Sequence, residues 1–275
     1  MSPLVLLALV LVGLIVGFVS GLVGIGGGVL IVPFLYFFYN HPGWSGAQVP
    51  ENLHTLAAHA TSLFVMVPTA ISGARSYNKA GLVVWRAALP IAALSAVAVV
   101  GGELLAEHLP SHVVRIAFGC FLLFTGVQLS LRKHDPEAEP HVHMNPVVIV
   151  LIGIIVGVMS GLMGIGGGAI AGALLIHFLG FDLKQAAATS LTIVLFAAIV
   201  GTLAYAVRGL GEGGMPPGSV GFVHVLAGVP IMLGSLITVR LGTSANQRMD
   251  ALALKRVFAV FFTVLGIYLI WSNFR

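Results

Sequence analysis

The chain has 275 residues, of which 58% are hydrophobic and only 8% are charged. Soluble domains carry about 25% charged residues, so this composition excludes a soluble globular protein and indicates a chain that crosses the membrane several times. Basic residues outnumber acidic ones by 13 to 9, but no basic stripe with interleaved aromatic residues occurs, which excludes nucleic acid as a partner. A single cysteine, Cys120, excludes a disulfide framework and a cysteine metal cluster.

Apolar runs follow one another along the chain. They cover residues 4–20, 29–39, 53–73, 83–105, 113–131, 146–160, 169–179, 183–207, 220–239 and 252–271. The first run has the length of a signal peptide, but it lacks a basic start and its equivalent recurs in mid-chain, so we interpret it as a retained span. A span takes about 20 residues, so the second and seventh runs are too short for ordinary membrane helices.

The sequence is duplicated. Residues 21–28 recur at residues 161–168 with one difference, and the Ala-Thr-Ser-Leu of residues 60–63 recurs at residues 188–191. The duplication divides the chain into a first membrane repeat, residues 1–131, a charged linker, residues 132–145, and a second membrane repeat, residues 146–275.

The linker carries His134, His141 and His143 among acidic residues and prolines. This composition resembles a metal-binding tract, but no second coordination shell is implied, so we interpret it as a solvated loop. The sequence therefore predicts no metal site and no cofactor.

The distribution of basic residues bears on the number of spans. If the short runs cross the membrane with the help of the glycines, ten Lys and Arg residues fall on one side and three on the other; if the short runs turn back, the division is seven to six. Because positive charge concentrates on the cytoplasmic side, the first arrangement is favoured. Five crossings per half invert the second half relative to the first and place both termini outside the cytoplasm.

The predicted fold is therefore an all-α, polytopic integral membrane protein. It has two inverted-topology repeats of about five spans each, with helices broken at a GxGGG motif in each repeat. The alternative is eight spans plus two re-entrant half-helices.

The glycine clusters are the first candidate for a binding site. Glycine in a helix interior costs up to about 1 kcal/mol relative to alanine, so each cluster predicts a break followed by a fresh helix start. Such a start exposes unpaired N–H groups and about half a positive charge, which binds an anion without a charged side chain. In an inverted repeat the two starts face each other near the bilayer centre. The alternative is that the glycines only allow close helix packing. The residues assigned to this site are Gly24, Gly26, Gly27, Gly28, Gly164, Gly166, Gly167 and Gly168.

Two hydroxyl pairs accompany the glycines. Thr61 and Ser62 recur as Thr189 and Ser190, and their hydroxyls can donate to an oxyanion without the cost of burying a charge. We assign them to the anion site; the alternative is that they bond to their own or a neighbouring helix.

Two histidines lie within or beside predicted spans. An ionisable group in the membrane is a functional hypothesis by default, so His59 and His177 are candidates for proton coupling or specificity. His59 aligns with Ala187 of the second repeat and is not part of the shared design. Glu103, near the end of a span, is interpreted as an interfacial residue.

No enzyme motif was found. Neither glycine cluster is followed by Gly-Lys-Ser/Thr, no soluble βαβ context surrounds them, and the chain has no HExxH, GxSxG or CxxC sequence. We predict that the protein moves a substrate rather than transforming it.

The chain resembles the TauE/SafE family of membrane permeases, the sulfite exporters, over nearly its whole length. The resemblance lies in residues 16–28, their second copy at residues 156–168, and the paired Ala-Thr-Ser sequences of residues 60–62 and 188–190. The resemblance implies a secondary transporter for sulfite, sulfonates or related small anions in the plasma membrane, which we expect to be a bacterial inner membrane. His59 and the loop of residues 40–52, which has no counterpart in the second half, are features that tune specificity under this interpretation.

The leading hypothesis is thus an exporter of a small sulfur-containing oxyanion, such as sulfite or sulfoacetate, working by alternating access. Its expected partners are the anion and membrane lipid. The sequence leaves open whether the protein is a monomer or a homodimer. The alternatives are an anion channel and a non-transporting membrane partner protein.

Overall fold

A computed structural model describes residues 2–45, 49–106, 111–131 and 144–271, which lie mostly in helices. The first half contains α1 (Pro3–Val23), α2 (Gly28–Tyr39), α3 (Pro42–Ser45), α4 (Glu51–Lys79), α5 (Trp85–Ala106) and α6 (Ser111–Leu131). The second half contains α7 (Pro146–Met163), α8 (Gly168–Phe178), α9 (Leu183–Arg208), β1 (Ser219–Val220), β2 (Val223–His224), α10 (Val225–Arg248) and α11 (Ala251–Trp271). The linker histidines His134, His141 and His143 lie outside the described residues.

Seven helices of the described ranges are long and apolar enough to cross a membrane, namely α1, α4, α5, α7, α9, α10 and α11. Shorter apolar helices are α2, α8 and the part of α6 that begins at Gly119. Every predicted apolar run corresponds to a helix, and the predicted all-α, polytopic membrane fold is confirmed. The largest difference follows residue 218, where an antiparallel hairpin pairs Ser219 with His224 before α10 begins.

Three helix starts are encoded by local sequence. The Ser2 hydroxyl accepts from the backbone N–H of Val5 ahead of α1, and the Asn145 side chain accepts from that of Val147 ahead of α7. Proline follows the cap in both helices, where its missing N–H costs nothing. The Asp182 carboxylate caps α9 in the same manner, 2.8 Å from the backbone nitrogen of Gln185.

The helices pair across the boundary between the two halves. α1 packs along α10 and α7 along α5, while α4 packs against α9 and α6 against α11. Glycines make the first two pairs close, because a Cβ added to them would overlap backbone of the facing helix. These glycines are Gly13, Gly17 and Gly21 of α1 and Gly157 and Gly161 of α7.

Contacts along these pairs give the helix directions. On α10, Ser235 bonds Thr69 of α4 at 2.6 Å and Thr243 bonds Ser76 at 2.7 Å, so α4 and α10 run parallel. α1 runs parallel to α10 as well, since Gly13 faces Ile231 and Gly21 faces Val239. α9 runs antiparallel to α4, since Gly201 faces Leu63 and Gly73 faces Leu191.

The short helix α2 begins in the middle of this bundle and ends at its edge. Gly26, just before α2, lies beside Met66 and Val194, near the midpoints of α4 and α9. Tyr39, the last residue of α2, has its hydroxyl 3.4 Å from Nδ1 of His224, directly before α10. Because α1 and α10 are parallel, the glycine segment and α2 together return the chain to the end at which α1 begins.

Candidate functional site

Each glycine cluster ends one helix and begins another. The backbone of Gly24, Gly26 and Gly27 has φ of 79°, 78° and 91°, and that of Gly164, Gly166 and Gly167 has φ of 62°, 71° and 70°. Side-chain-bearing residues rarely adopt these left-handed values, which is the physical reason for glycine at these positions. Both helix breaks and both helix starts that the sequence predicted, at Gly28 and Gly168, are present.

The two glycine segments cross each other. A Cβ added to Gly28 would lie 2.6 Å from Cα of Ile165, and one added to Gly168 would lie 2.6 Å from the carbonyl carbon of Ile25. The first turns of α2 and α8 therefore lie next to each other, in contact through backbone. Neither helix has a side chain that caps its first N–H groups, so these starts keep the unpaired donors that attract an anion.

Two apolar side chains, Met66 and Val194, pack against both glycine segments at the crossing. They occupy matched positions of α4 and α9, and both contact the Cβ positions of Gly26 and Gly166. Both side chains have 0% exposure, and Ile25 and Ile165 beside them are 1% and 5% exposed. The side chains at the crossing are therefore shielded from solvent in this structure.

Serine hydroxyls without partners surround the crossing. Ser20 of α1 and Ser160 of α7 are fully buried, and among the described residues their hydroxyls have no hydrogen-bond partner. Their Cβ atoms lie 3.7 Å and 3.5 Å from the Cβ positions of Gly27 and Gly167, the residues that precede α2 and α8. Sequence analysis missed these two serines, although they occupy the same position in both repeats. Buried donors left unpaired are costly, so they are candidates for a ligand.

The predicted serines of α4 and α9 differ from each other. Ser190 donates to the carbonyl oxygens of Gly24, at 2.9 Å, and Ala187, at 3.2 Å. Ser62, its match in the first repeat, is fully buried with no hydrogen-bond partner in the described part of the chain. Among the described residues, the structure thus gives a protein partner to Ser190 and none to Ser62.

The predicted threonines hold the starts of other helices. Thr61 Oγ1 accepts from the backbone N–H of His224, at 2.9 Å, before α10, and Thr189 Oγ1 accepts from that of Val84, at 3.2 Å, before α5. Thr61 Oγ1 also lies 3.4 Å from the Tyr39 hydroxyl. These side chains therefore connect α4 and α9 to the neighbouring loops rather than facing the crossing.

We expect Thr61→Val to destabilise the protein and Thr61→Ser to leave it nearly unchanged. Valine keeps the shape but leaves the N–H of His224, a residue 1% exposed, without its acceptor, at a cost of about 1–3 kcal/mol. Thermal unfolding of both purified variants in detergent measures the difference. Equal melting temperatures for the two variants would contradict this role.

The two predicted histidines lie in different places. His59 packs against the second glycine segment, with its Cγ 2.6 Å from the Cβ position of Gly164, and its Nε2 is 3.3 Å from the Tyr36 hydroxyl. His177, in the last turn of α8, is exposed and contacts Phe124 of α6. It lines a cavity of about 470 Å³ with Thr125 and Gln128, away from the crossing.

The position of Glu103 differs from the predicted one. The sequence suggested an interfacial residue, but the side chain has 0% exposure and lies inside the bundle between α5, α7 and α9. The glycines that face it leave room for the carboxyl group.

Polar contacts join α4 and α10 from the bundle centre to one end. They pair Thr69 with Ser235 at 2.6 Å, Ser72 with Arg240 at 3.1 Å and Ser76 with Thr243 at 2.7 Å. The matched positions of α9 carry Ala197, Val200 and Ala204. These three polar contacts between α4 and α10 therefore have no equivalent on the α9 side of the matched interface.

The donors at the crossing are backbone amides and hydroxyls, a set that suits an anion and not a metal ion. Within residues 2–45, 49–106, 111–131 and 144–271, no group of three or more His, Cys, Asp or Glu side chains is placed to hold a metal.

The chain is similar to a described family and to named membrane proteins over nearly its whole length. Residues 9–269 match the family described as sulfite exporter TauE/SafE. A protein of Haemophilus influenzae named "Probable membrane transporter protein" is 32% identical over 272 residues, covering 97% of this chain and 98% of that one. A protein of Methanocaldococcus jannaschii, also named a probable membrane transporter protein, is 28% identical, covering 97% of this chain and 96% of its own. The corresponding values for the probable membrane transporter protein YunE of Bacillus subtilis are 27%, 96% and 97%.

No solved structure gives a significant match. The family match spans both glycine segments and nearly every described helix. The chain belongs to the sulfite exporter TauE/SafE family and is a multi-pass membrane transporter.

Proposed function

We propose that the protein is a secondary transporter that exports a small sulfur-containing oxyanion, such as sulfite or sulfoacetate, across the plasma membrane. The anion binds where the first turns of α2 and α8 meet. The observation that carries this proposal is the crossing of Gly28 over Ile165 and of Gly168 over Ile25, with both helix starts uncapped. The family's description as sulfite exporters supports the substrate class.

The chemistry of the donors supports an oxyanion. Backbone amides of two helix starts supply partial positive charge. The buried hydroxyls of Ser20, Ser160 and Ser62 have no hydrogen-bond partner among the described residues and are available to the ligand's oxygen atoms. Thr61 and Thr189 support the site by holding the loops before α5 and α10. Because all these donors are neutral, the site can release its anion in each cycle at little electrostatic cost.

Inverted repeats supply the movement in this proposal. Each half of the chain crosses the membrane five times, with the glycine segment and the short helix together making the second crossing. α2 returns to the end of the bundle at which α1 begins, which supports this count. The packing of α1 on α10 and of α7 on α5, each a helix of the other half, supports it as well. Rocking of one repeat against the other then opens the crossing alternately to either side. Both termini face away from the cytoplasm.

A carrier fits this structure better than a channel. Met66 and Val194 are fully buried against the glycine segments, which supports a closed arrangement rather than an open pore. His59 lies against the second glycine segment only, and we assign it a role in specificity or proton coupling. The transporter moves its substrate without transforming it and needs no cofactor.

Ligand stabilisation tests the proposal directly. A ligand present at about 100 times its Kd stabilises the folded state by about 2.7 kcal/mol, so sulfite or sulfoacetate is expected to raise the melting temperature of the purified protein. The double variant Ser20→Ala with Ser160→Ala should reduce that rise and the saturable flux of labelled anion in proteoliposomes. Ser130→Ala, which removes an exposed hydroxyl of α6, is the matched control and should change neither.

Failure of every small oxyanion to stabilise the protein or to enter proteoliposomes would overturn the proposal. Flux that does not saturate and shows no counter-transport would favour an anion channel. A protein that binds and moves no anion would support the interpretation that its glycines only pack helices.

A further inference from the structure

A carboxyl group is buried inside the membrane bundle with no hydrogen bond from any described residue. The Glu103 side chain has 0% exposure, and neither of its carboxylate oxygens has a hydrogen-bond partner among the described residues. Leaving a buried carboxylate unpaired is far more costly than leaving a hydroxyl unpaired, so such a group is kept only where it serves a purpose.

The bundle has a space shaped for this group. Gly201 of α9 faces it, with its Cβ position 3.1 Å from Oε1 of Glu103, and Gly161 of α7 has its Cβ position 2.6 Å from the Glu103 backbone nitrogen. Leu63 of α4 and Val99 of α5 complete the apolar wall at Gly201. Gly161 precedes Gly164 by three residues, so the backbone of Glu103 lies beside the part of α7 that leads into the second glycine segment.

The residue at the matched position of the second half has a hydrogen-bond partner. Thr243 occupies this position, and its hydroxyl bonds Ser76 at 2.7 Å. Gly73, which matches Gly201, faces only the apolar side chains of Leu191 and Val239. The fold therefore does not require a carboxyl group here, since the equivalent helix contact forms with a neutral hydroxyl.

Few titratable or charged groups surround Glu103. On α9, the Tyr205 hydroxyl donates to the carbonyl oxygen of Gly161 at 3.1 Å, and Arg208, in the last turn, attracts the carboxylate. α7 contributes none within Pro146–Met163. On α4, His59 packs against Gly164, three residues beyond Gly161. Arg86 of α5 and Lys184 of α9 lie near the opposite ends of their helices.

Glu103 also lies on the boundary that moves in the proposed mechanism. It belongs to the first repeat, while α7 and α9, which enclose it, belong to the second. Any displacement of the repeats relative to each other changes the access of water to this carboxyl group. His59, a second titratable group whose matched position carries alanine, flanks the same end of α7.

We propose that Glu103 carries the proton that couples anion transport to the proton gradient; this inference rests on the proposed function. In the closed arrangement the carboxyl group is neutral and buried. When the repeats move apart, its O–H bond breaks, the proton passes to water in the open compartment, and the carboxylate remains beside Arg208. Reprotonation from the other compartment completes the cycle, with no change in oxidation state.

The Glu103→Gln variant tests this role in proteoliposomes with labelled sulfite or sulfoacetate. Glutamine keeps the size of the side chain but carries no exchangeable charge. Anion accumulation driven by a pH gradient is expected to fall at least tenfold, whereas exchange of labelled for unlabelled anion at equal pH continues. Glu212→Gln, the same change at an exposed carboxylate in the loop after α9, is the matched control and should retain both activities.

A second measurement does not depend on transport. Infrared difference spectra of the purified protein during a pH titration should contain the band of a protonated carboxyl group that disappears at high pH and is absent from Glu103→Gln. If the glutamine variant fails to fold, Glu103→Thr, which introduces the residue of the matched position, replaces it in both assays.

The two proposals fail separately. Absence of anion exchange in the wild type overturns the proposed function, and the infrared titration then still decides whether Glu103 exchanges protons. Exchange in the wild type with undiminished gradient-driven accumulation in Glu103→Gln overturns the role of Glu103 alone, as does a carboxyl band that is the same in wild type and variant.

Discussion

Replacing Gly28 and Gly168 together by alanine is expected to abolish saturable anion flux. A methyl group at either position would lie 2.6 Å from backbone atoms of the opposite glycine segment, at Ile165 or Ile25. Backbone cannot move aside as a side chain can, so the two segments must separate and the helix starts of α2 and α8 lose their common site. Proteoliposome flux and ligand-induced thermal stabilisation should both disappear, and the protein should remain in the membrane fraction.

Gly172→Ala provides the matched control. Gly172 lies one turn further along α8, and its Cβ position is 3.8 Å from the Ser190 hydroxyl, which is an ordinary contact. We expect this variant to transport at the wild-type rate. Full activity of the Gly28→Ala, Gly168→Ala double variant in a folded protein would place the anion elsewhere.

Alanine substitutions at two neighbouring glycines of α5 should have different effects on the melting temperature. A Cβ at Gly102 would overlap the carbonyl oxygen of Val158 on α7, whereas a Cβ at Gly101 meets nothing within 4 Å. Gly102→Ala is therefore expected to force α5 and α7 apart and lower the melting temperature by several degrees. Gly101→Ala should leave it unchanged or raise it, since alanine favours a helix by up to about 1 kcal/mol.

Thermal unfolding of the two variants in the same detergent makes the comparison direct, because the substitutions are chemically identical and adjacent. Equal loss of stability at both positions would mean that α5 and α7 do not pack as closely as the structure indicates. Gly242→Ala, the matched position on α10, should behave like Gly102→Ala, because its Cβ would overlap the carbonyl oxygen of Phe18.

Much of the architecture follows from local patterns. The long apolar runs predict helices because a backbone in lipid must satisfy its own hydrogen bonds. The two glycine clusters predict helix breaks because only glycine accepts the left-handed backbone seen at Gly27 and Gly167. Their duplication predicts two equivalent helix starts. Each of these signals lies within a few residues of what it predicts.

The hydrogen-bond partners of the predicted hydroxyls did not follow from the sequence. The hydroxyls of Thr61 and Thr189 are used to hold the loops before α10 and α5, while the unpaired hydroxyls near the crossing include Ser20 and Ser160. From the sequence alone, each serine cannot be distinguished from an ordinary small residue at a contact between two helices. Which hydroxyl is satisfied depends on the facing helix, and that helix is distant in sequence. Glu103 was misplaced for the same reason, since its burial comes from α7 and α9.

By itself, the sequence determined that this protein is a duplicated, all-helical membrane protein with a helix break at matching places in its two halves, because hydrophobicity and glycine conformation act locally. The crossing of the two breaks, with Gly28 on Ile165 and Gly168 on Ile25, is visible only in the tertiary structure, as is the burial of Glu103 with no hydrogen bond from the described residues. These features arise from the packing of helices more than 50 residues apart in the chain, where neither the facing residues nor their distances are encoded in any one segment.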